Sequence, residues 1–164
     1  MALVLKAGIV VEDNWRFLDH PDANLANDFY VLPLAVWQQH RKDIITRGDS
    51  SGFWISSDED VLEISDTLHD AQIIAIEFIY FADGRGFSSA RLLRERLQFR
   101  GELRAFGHIT RDQLYMLNRC GFDVYALPQE KDLQAARTAL NDFSNAYQVA
   151  VDQPLPLFRR RQFD

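Results

Sequence analysis

The sequence predicts an α/β domain in which an N-terminal β-hairpin precedes a β-α-β-α-β-α-β-α run on a mainly parallel sheet. Three observations predict it. From Gly52 onward, short apolar runs alternate with segments whose apolar residues recur at helical spacing, the pattern of strands joined by crossover helices. Residues 73–79 (IIAIEFI) are almost continuously apolar, as expected of a strand covered on both faces. Cap and stop residues fall between the runs, including Thr110 with Gln113 as a capping box and Gly121 as a helix terminator.

The elements follow in order. Residues 3–18 alternate apolar and polar around Asp13-Asn14 and read as a short hairpin or two edge strands. Residues 19–28 have loop composition, Tyr30–Leu34 is extended, and residues 35–46 form a helix stopped by Gly48. Phe53–Ile55 is a strand and residues 60–69 a helix with Val61, Ile64 and Leu68 on one face. After strand 73–79 comes a loop, Tyr80 to Phe87, and a helix capped by Ser88 or Ser89. Strand 102–107, the helix opened by Thr110, strand 122–127 and a last helix from Pro128 to about Tyr147 complete the core. Residues 1–151 are expected to form one domain, with 1–48 as the hairpin and first-helix region and 52–147 as the parallel core. Residues 152–164 read as a flexible Pro- and Arg-containing tail. Two layouts fit: an open Rossmann-like or flavodoxin-like sheet, or half of a (β/α)-barrel. The open sheet is favoured, because a half-barrel exposes its apolar interior unless it dimerises.

Composition excludes several classes. The chain has 164 residues and a formal net charge of -6, which argues against general nucleic-acid binding. No apolar run is long enough to span a membrane, and the N-terminus lacks the pattern of a signal peptide, so the cytoplasm is the default compartment. The single cysteine, Cys120, excludes an internal disulfide, a four-Cys zinc site and a thiolate-held iron–sulfur cluster built from this chain alone. Cys120 reads as a small core residue, and no metal-ligand spacing links the four histidines. No haem site and no dinucleotide fingerprint is evident.

Charge is unevenly placed. Residues 1–82 carry 5 Lys+Arg against 14 Asp+Glu, a net of -9, whereas residues 83–164 carry 13 against 10, a net of +3. Arginines crowd residues 85–119 and recur at 159–161; their planar donor forks suit phosphate, sulfate, sulfite and carboxylate.

Ligands of parallel sheets sit beyond the carboxyl ends of the strands. The informative loop there is Asp83-Gly84-Arg85-Gly86-Phe87-Ser88-Ser89. Two glycines permit close approach and positive φ, and free N–H groups at a helix start attract anions. An anion pocket of Gly84, Arg85, Gly86, Ser88, Ser89, Arg91 and Arg111 is the expectation, against a plain turn with a serine cap. Glu77 interrupts an apolar strand and is expected to orient Arg104 or Arg85 or to act as a base. Asp83, as turn former, and His108, at a strand end, complete the acid–base candidates. The tail residues Phe158, Arg159, Arg160 and Arg161 are candidates for docking on an acidic partner.

The run FADGRGFSSARLLRERLQFRGELRAFGHITRDQLYMLNRCGFDVYAL (81–127) resembles the bacterial family described as domain of unknown function 934. The likeness rests on an ordered set: Asp83 to Ser88, Ala90 to Arg96, Arg100 to Gly107, Arg111 to Leu114 and Arg119 to Asp123, with an FRRR-like ending. The resemblance implies a cytoplasmic protein encoded beside assimilatory sulfite reductase, some relatives being labelled oxidoreductases. Its implied partner is the sulfite reductase haemoprotein or its electron donor. The family supplies no catalytic residues, and His108 stands where many relatives carry an acidic residue. Three functions stand as expectations: an accessory factor of sulfite reduction, an enzyme or binding protein for a phosphorylated or sulfated small molecule, or a purely structural homo-oligomer, such as a homodimer, with arginines in intersubunit pairs.

Overall fold

The structure, a computed structural model, describes residues 2–21, 29–127, 131–140, 142–143 and 146–160. Strands β1 (Leu3–Lys6), β2 (Ile9–Glu12), β3 (Trp15–Phe17), β4 (Phe29–Pro33), β5 (Ser51–Ser56), β6 (Ile73–Phe78), β7 (Glu102–Gly107) and β8 (Val124–Tyr125) form one sheet. Their order is β2-β1-β8-β7-β6-β5-β4-β3. Strands β3 to β8 are parallel, and β1 is antiparallel to both β2 and β8.

The order from β3 to β8 runs in one direction and never reverses. A doubly wound sheet requires such a reversal, so the open Rossmann-like layout gives way to the half-barrel. Right-handed crossovers between successive neighbours then put every helix on the same face. That face is one apolar layer: Ile74, Ile76, Phe78, Leu103 and Ala105 of the sheet meet Trp37, Ala90, Leu93, Leu114 and Leu117 of the helices. The helices are α1 (Leu34–Arg47), α2 (Arg85–Arg91), α3 (Leu114–Cys120), α4 (Lys131–Ala139) and the single turn α5 (Leu157–Arg160). Among the described residues no helix is long and apolar enough to cross a membrane.

Among the described residues the other face carries no helix, yet Val31, Ile73 and Ala75 on it are fully buried, with Trp15, Trp54 and Phe106 against them. Curl explains this. β2 and β3 lie on opposite edges of the sheet but are separated only by Asp13 and Asn14, a span of at most about 11 Å. One extended segment, Ile9–Phe17, therefore crosses the open side of the half-barrel. Across the concave interior the rings of Phe17 and Phe106, from β3 and β7, approach to 5.0 Å. Below them Arg104, almost wholly buried, makes a bidentate pair with Asp13 at 2.7 and 2.9 Å and bonds Glu102 at 2.9 Å. Lys6 completes the network on Glu102 at 2.9 Å.

Local expectations meet mixed outcomes. The capping box at Thr110 and the left-handed Gly121 after α3 are present, and strand 102–107 has the expected bounds. The hairpin turns at Ala7-Gly8, both with positive φ, and not at Asp13-Asn14, which instead joins the two edge strands. Residues 65–70 form a 3₁₀ helix in place of an α-helix over 60–69, and the strand expected over 122–127 pairs only at Val124–Tyr125. α2 begins at Arg85, ahead of the serines, because the Asp83 carboxylate accepts the Arg85 N–H at 3.1 Å and so starts the helix itself. It continues as a π-helical turn, Leu92–Arg96. The last long helix ends at Ala139. Val151 N–H bonds Arg119 O, and Arg160 donates to Ala146 O at 2.7 Å, so this segment is tied to the end of α3 and to the residues before it. The expected features at residues 22–28, Pro128–Glu130 and Arg161 lie outside the described residues.

Candidate functional site

Two surfaces hold the residues with chemistry to offer. The first is the carboxyl edge of the sheet. Ser57, just past β5, donates its hydroxyl to Asp83 at 2.5 Å, and Arg85 clamps the same carboxylate through Nε at 2.9 Å and a terminal nitrogen at 2.8 Å. The Arg85 guanidinium first, and then the Ser57 hydroxyl, hold the Asp83 carboxyl well below the usual carboxylate range. Asp83 in turn raises the pKa of Arg85. The negative group at the start of α2 is thus the protein's own Asp83.

Of the two glycines of the loop, Gly86 serves packing and Gly84 has open space around it. Neither Gly84 nor Gly86 has positive φ. A Cβ on Gly86 would lie 2.7 Å from the ring of Phe78, which is fully buried, so glycine is what lets α2 settle on the sheet. Ser89 is buried beside Ala90, and Ser88 is exposed. Arg91 pairs one turn on with Glu95 at 2.9 Å, and Arg111 reaches Ala135 O and Asp142. Of the predicted anion set, Arg91 and Arg111 therefore share no partner with Arg85.

Glu77 faces the concave interior, since it alternates with Ile73 and Ala75, and it engages neither Arg104 nor Arg85. Ser56, its neighbour across the β5–β6 pair, has a buried hydroxyl with no partner of hydrogen-bond geometry. That hydroxyl is nevertheless close enough to Asp58 to be the main cause of that carboxyl's lowered pKa. His108 is exposed and is anchored by its backbone N–H on Phe78 O at 2.7 Å.

The arginines that crowd the sequence separate in space because each meets a different element. Arg94 closes the loop after the π turn, donating to Phe99 O, Gly101 O and Gly121 O and pairing with Asp123 at 2.7 Å. Arg104 fills the interior. Arg119 donates to Gln148 O at 2.6 Å and holds residues 146–150 against α3.

The second surface is a groove of about 480 Å³ between α3 and residues 146–150. Arg91, Tyr115, Met116, Arg119, Tyr147 and Val149 line it. Met116 is 51% exposed and Tyr147 74%, and Phe143 packs on Tyr115 at 4.8 Å between centroids. Leu155 and Phe158 add exposed apolar area further along the same segment, the latter at 59%. Cys120 lies half-buried in the groove wall, and burial pushes its thiol pKa up, the opposite of what a nucleophile needs. Reading the sequence missed this groove, because residues 146–150 carry no period that places them; the signal available was the apolar Met116 beside an otherwise polar helix face. No group of three or more metal-ligating side chains occurs among the described residues.

The protein is a curled, singly wound α/β half-barrel with a partly apolar groove on the helical side. It belongs to the family of bacterial proteins of unknown function DUF934, whose model matches residues 52–158. No curated protein matches the chain. The match begins with β5, so the segment that crosses the open side of the half-barrel lies outside it.

Proposed function

We propose that this protein is an accessory factor of assimilatory sulfite reduction that works by docking on another protein through the face of α3 and residues 146–158. The observation that supports the reading is the run of exposed Met116, Phe143, Tyr147, Val149, Leu155 and Phe158, broken by arginines. Clustered exposed apolar side chains with an arginine rim have the composition of a protein interface. At the strand ends, by contrast, Asp83 and Arg85 are spent on each other. The pathway comes from the family resemblance, which also nominates the sulfite reductase haemoprotein as the partner. Co-expression of the tagged chain with that haemoprotein from the same organism, followed by gel filtration, tests it. The expected result is co-elution at micromolar concentration, lost in Met116→Glu and in Phe158→Asp; separate elution of the wild-type proteins rejects the reading.

The second reading is a sulfated or phosphorylated small molecule at Gly84–Ser89. In its favour, the Arg85 side chain is 60% exposed and its ion-pair partner Asp83 belongs to the same loop, so an anion competes with a local contact. Calorimetry with sulfite and with phosphate checks it: heat of binding that Arg85→Ala abolishes is required, and its absence sinks this reading.

A further inference from the structure

We propose that the mouth of the half-barrel, at the carboxyl ends of β5, β6 and β7, binds the guanidinium group of a ligand, with Glu77 as its counter-ion and the rings of Phe17, Trp54 and Phe106 as its walls. The site is distinct from the docking face and does not depend on it.

The concave interior has two layers. In the lower layer a guanidinium is already bound, and it belongs to the protein: Arg104 lies 6.0 Å from the centroid of the Phe17 ring and is paired to the carboxylates of Asp13 and Glu102. The upper layer repeats the receiving chemistry. Phe106 makes an edge contact with Trp54 at 6.2 Å and a tilted contact with Phe17 at 5.0 Å. Glu77 is the in-register neighbour of Phe106 on one side and of Ser56 on the other, so its carboxylate stands beside these rings. Glu77 is half-buried, and its side chain makes no hydrogen bond or ion pair with a described residue. Phe17 is 40% exposed, so the rings open to solvent at this end.

An aromatic wall with a partly desolvated carboxylate attracts cations and repels anions. A guanidinium fits better than an ammonium. It is flat, stacks on rings and is more weakly hydrated, so it loses less on leaving water for an apolar wall. A divalent metal is disfavoured, because one carboxylate beside three aromatic rings offers too few oxygen ligands.

The test titrates the full chain with agmatine, and separately with the peptide acetyl-Gly-Arg-Gly-amide, against sodium chloride at matched ionic strength. Calorimetry and tryptophan fluorescence are read together. Saturable binding that weakens about tenfold or more in Glu77→Gln is the expected result. Agmatine binding without the peptide identifies a free small molecule as the source; peptide binding without agmatine identifies an arginine side chain of a partner; either supports the site. Heats indistinguishable from sodium chloride, or equal affinity in Glu77→Gln, overturn it. Glu77→Gln is close to isosteric, and its thermal unfolding is measured alongside. Trp54→Phe is the second variant: it keeps an aromatic wall and is expected to bind agmatine by calorimetry while the fluorescence response falls.

Discussion

The two faces of the sheet are buried by opposite means. Leu103 and Arg104 are neighbours in β7 and both are almost fully removed from solvent. Leu103 points to the outer face, where helices cover hydrocarbon with hydrocarbon. Arg104 points to the concave face, where among the described residues the cover is the Ile9–Phe17 segment with its Asp13 carboxylate. The first arrangement draws on non-directional burial of apolar area. The second stands only while each charge has its partner, since a buried charge left alone costs far more than the pair contributes. Contacts on the outer face should therefore degrade gradually, and those on the inner face abruptly.

The largest effect is expected at Arg104. Arg104→Met strands Asp13, leaves Glu102 with Lys6 alone, and is expected to cost about 3–5 kcal/mol in denaturant unfolding. Adding Asp13→Asn and Glu102→Gln should return much of the loss; if the single variant is as stable as wild type, the inner face is not held by this network. Leu103→Ala, one residue away, is expected to cost about 3 kcal/mol by cavity formation, with no rescue by any charge change. Gly86→Ala sharpens the account of the outer face. It drives a methyl group into the Phe78 ring and is expected to lower stability by about 1–3 kcal/mol. A neutral result would return the glycines to a role in ligand approach.

A smaller effect depends on pH. Tyr30 is buried on the outer face with its hydroxyl on Asp49 at 2.7 Å, and burial first, then that bond, pushes its pKa up to about 12. An unfolded tyrosine ionises near 10. Below that pH both states keep the proton. Between about 10 and about 12 only the unfolded state releases it, so stability falls as pH rises through that window. Tyr30→Phe should flatten this part of the alkaline unfolding curve; an unchanged curve would mean that Tyr30 ionises normally. Smallest of all is Met116→Glu, an exposed site, whose unfolding free energy is expected to stay within about 0.5 kcal/mol of wild type while the docking described above is lost.

Some of this was legible in the residues alone. Ile73–Phe78 declared itself a covered strand because both its faces are apolar, and Thr110 with Gln113 declared a helix start because a capping box needs only local geometry. Asp83 was legible as a turn former for the same reason. The DGRG loop misled because glycine has two uses. Its positive φ and its lack of a side chain look alike in sequence, and only the position of Phe78 shows that the second applies at Gly86. The crowd of arginines misled in another way: sequence proximity does not set which element a long side chain reaches, and Arg91, Arg94 and Arg104 reach three different ones.

By itself, the sequence determined the alternation of strands and helices, the parallel sheet and several of its termini, because hydrophobic period and caps act within a few residues. The tertiary structure alone decided the single winding of that sheet, the closing of its open side by residues 9–17 and the pairing of Arg104 with Asp13, ninety-one positions away. Those depend on strand order and curl, which arise from the packing of the whole chain and leave no mark on any one segment.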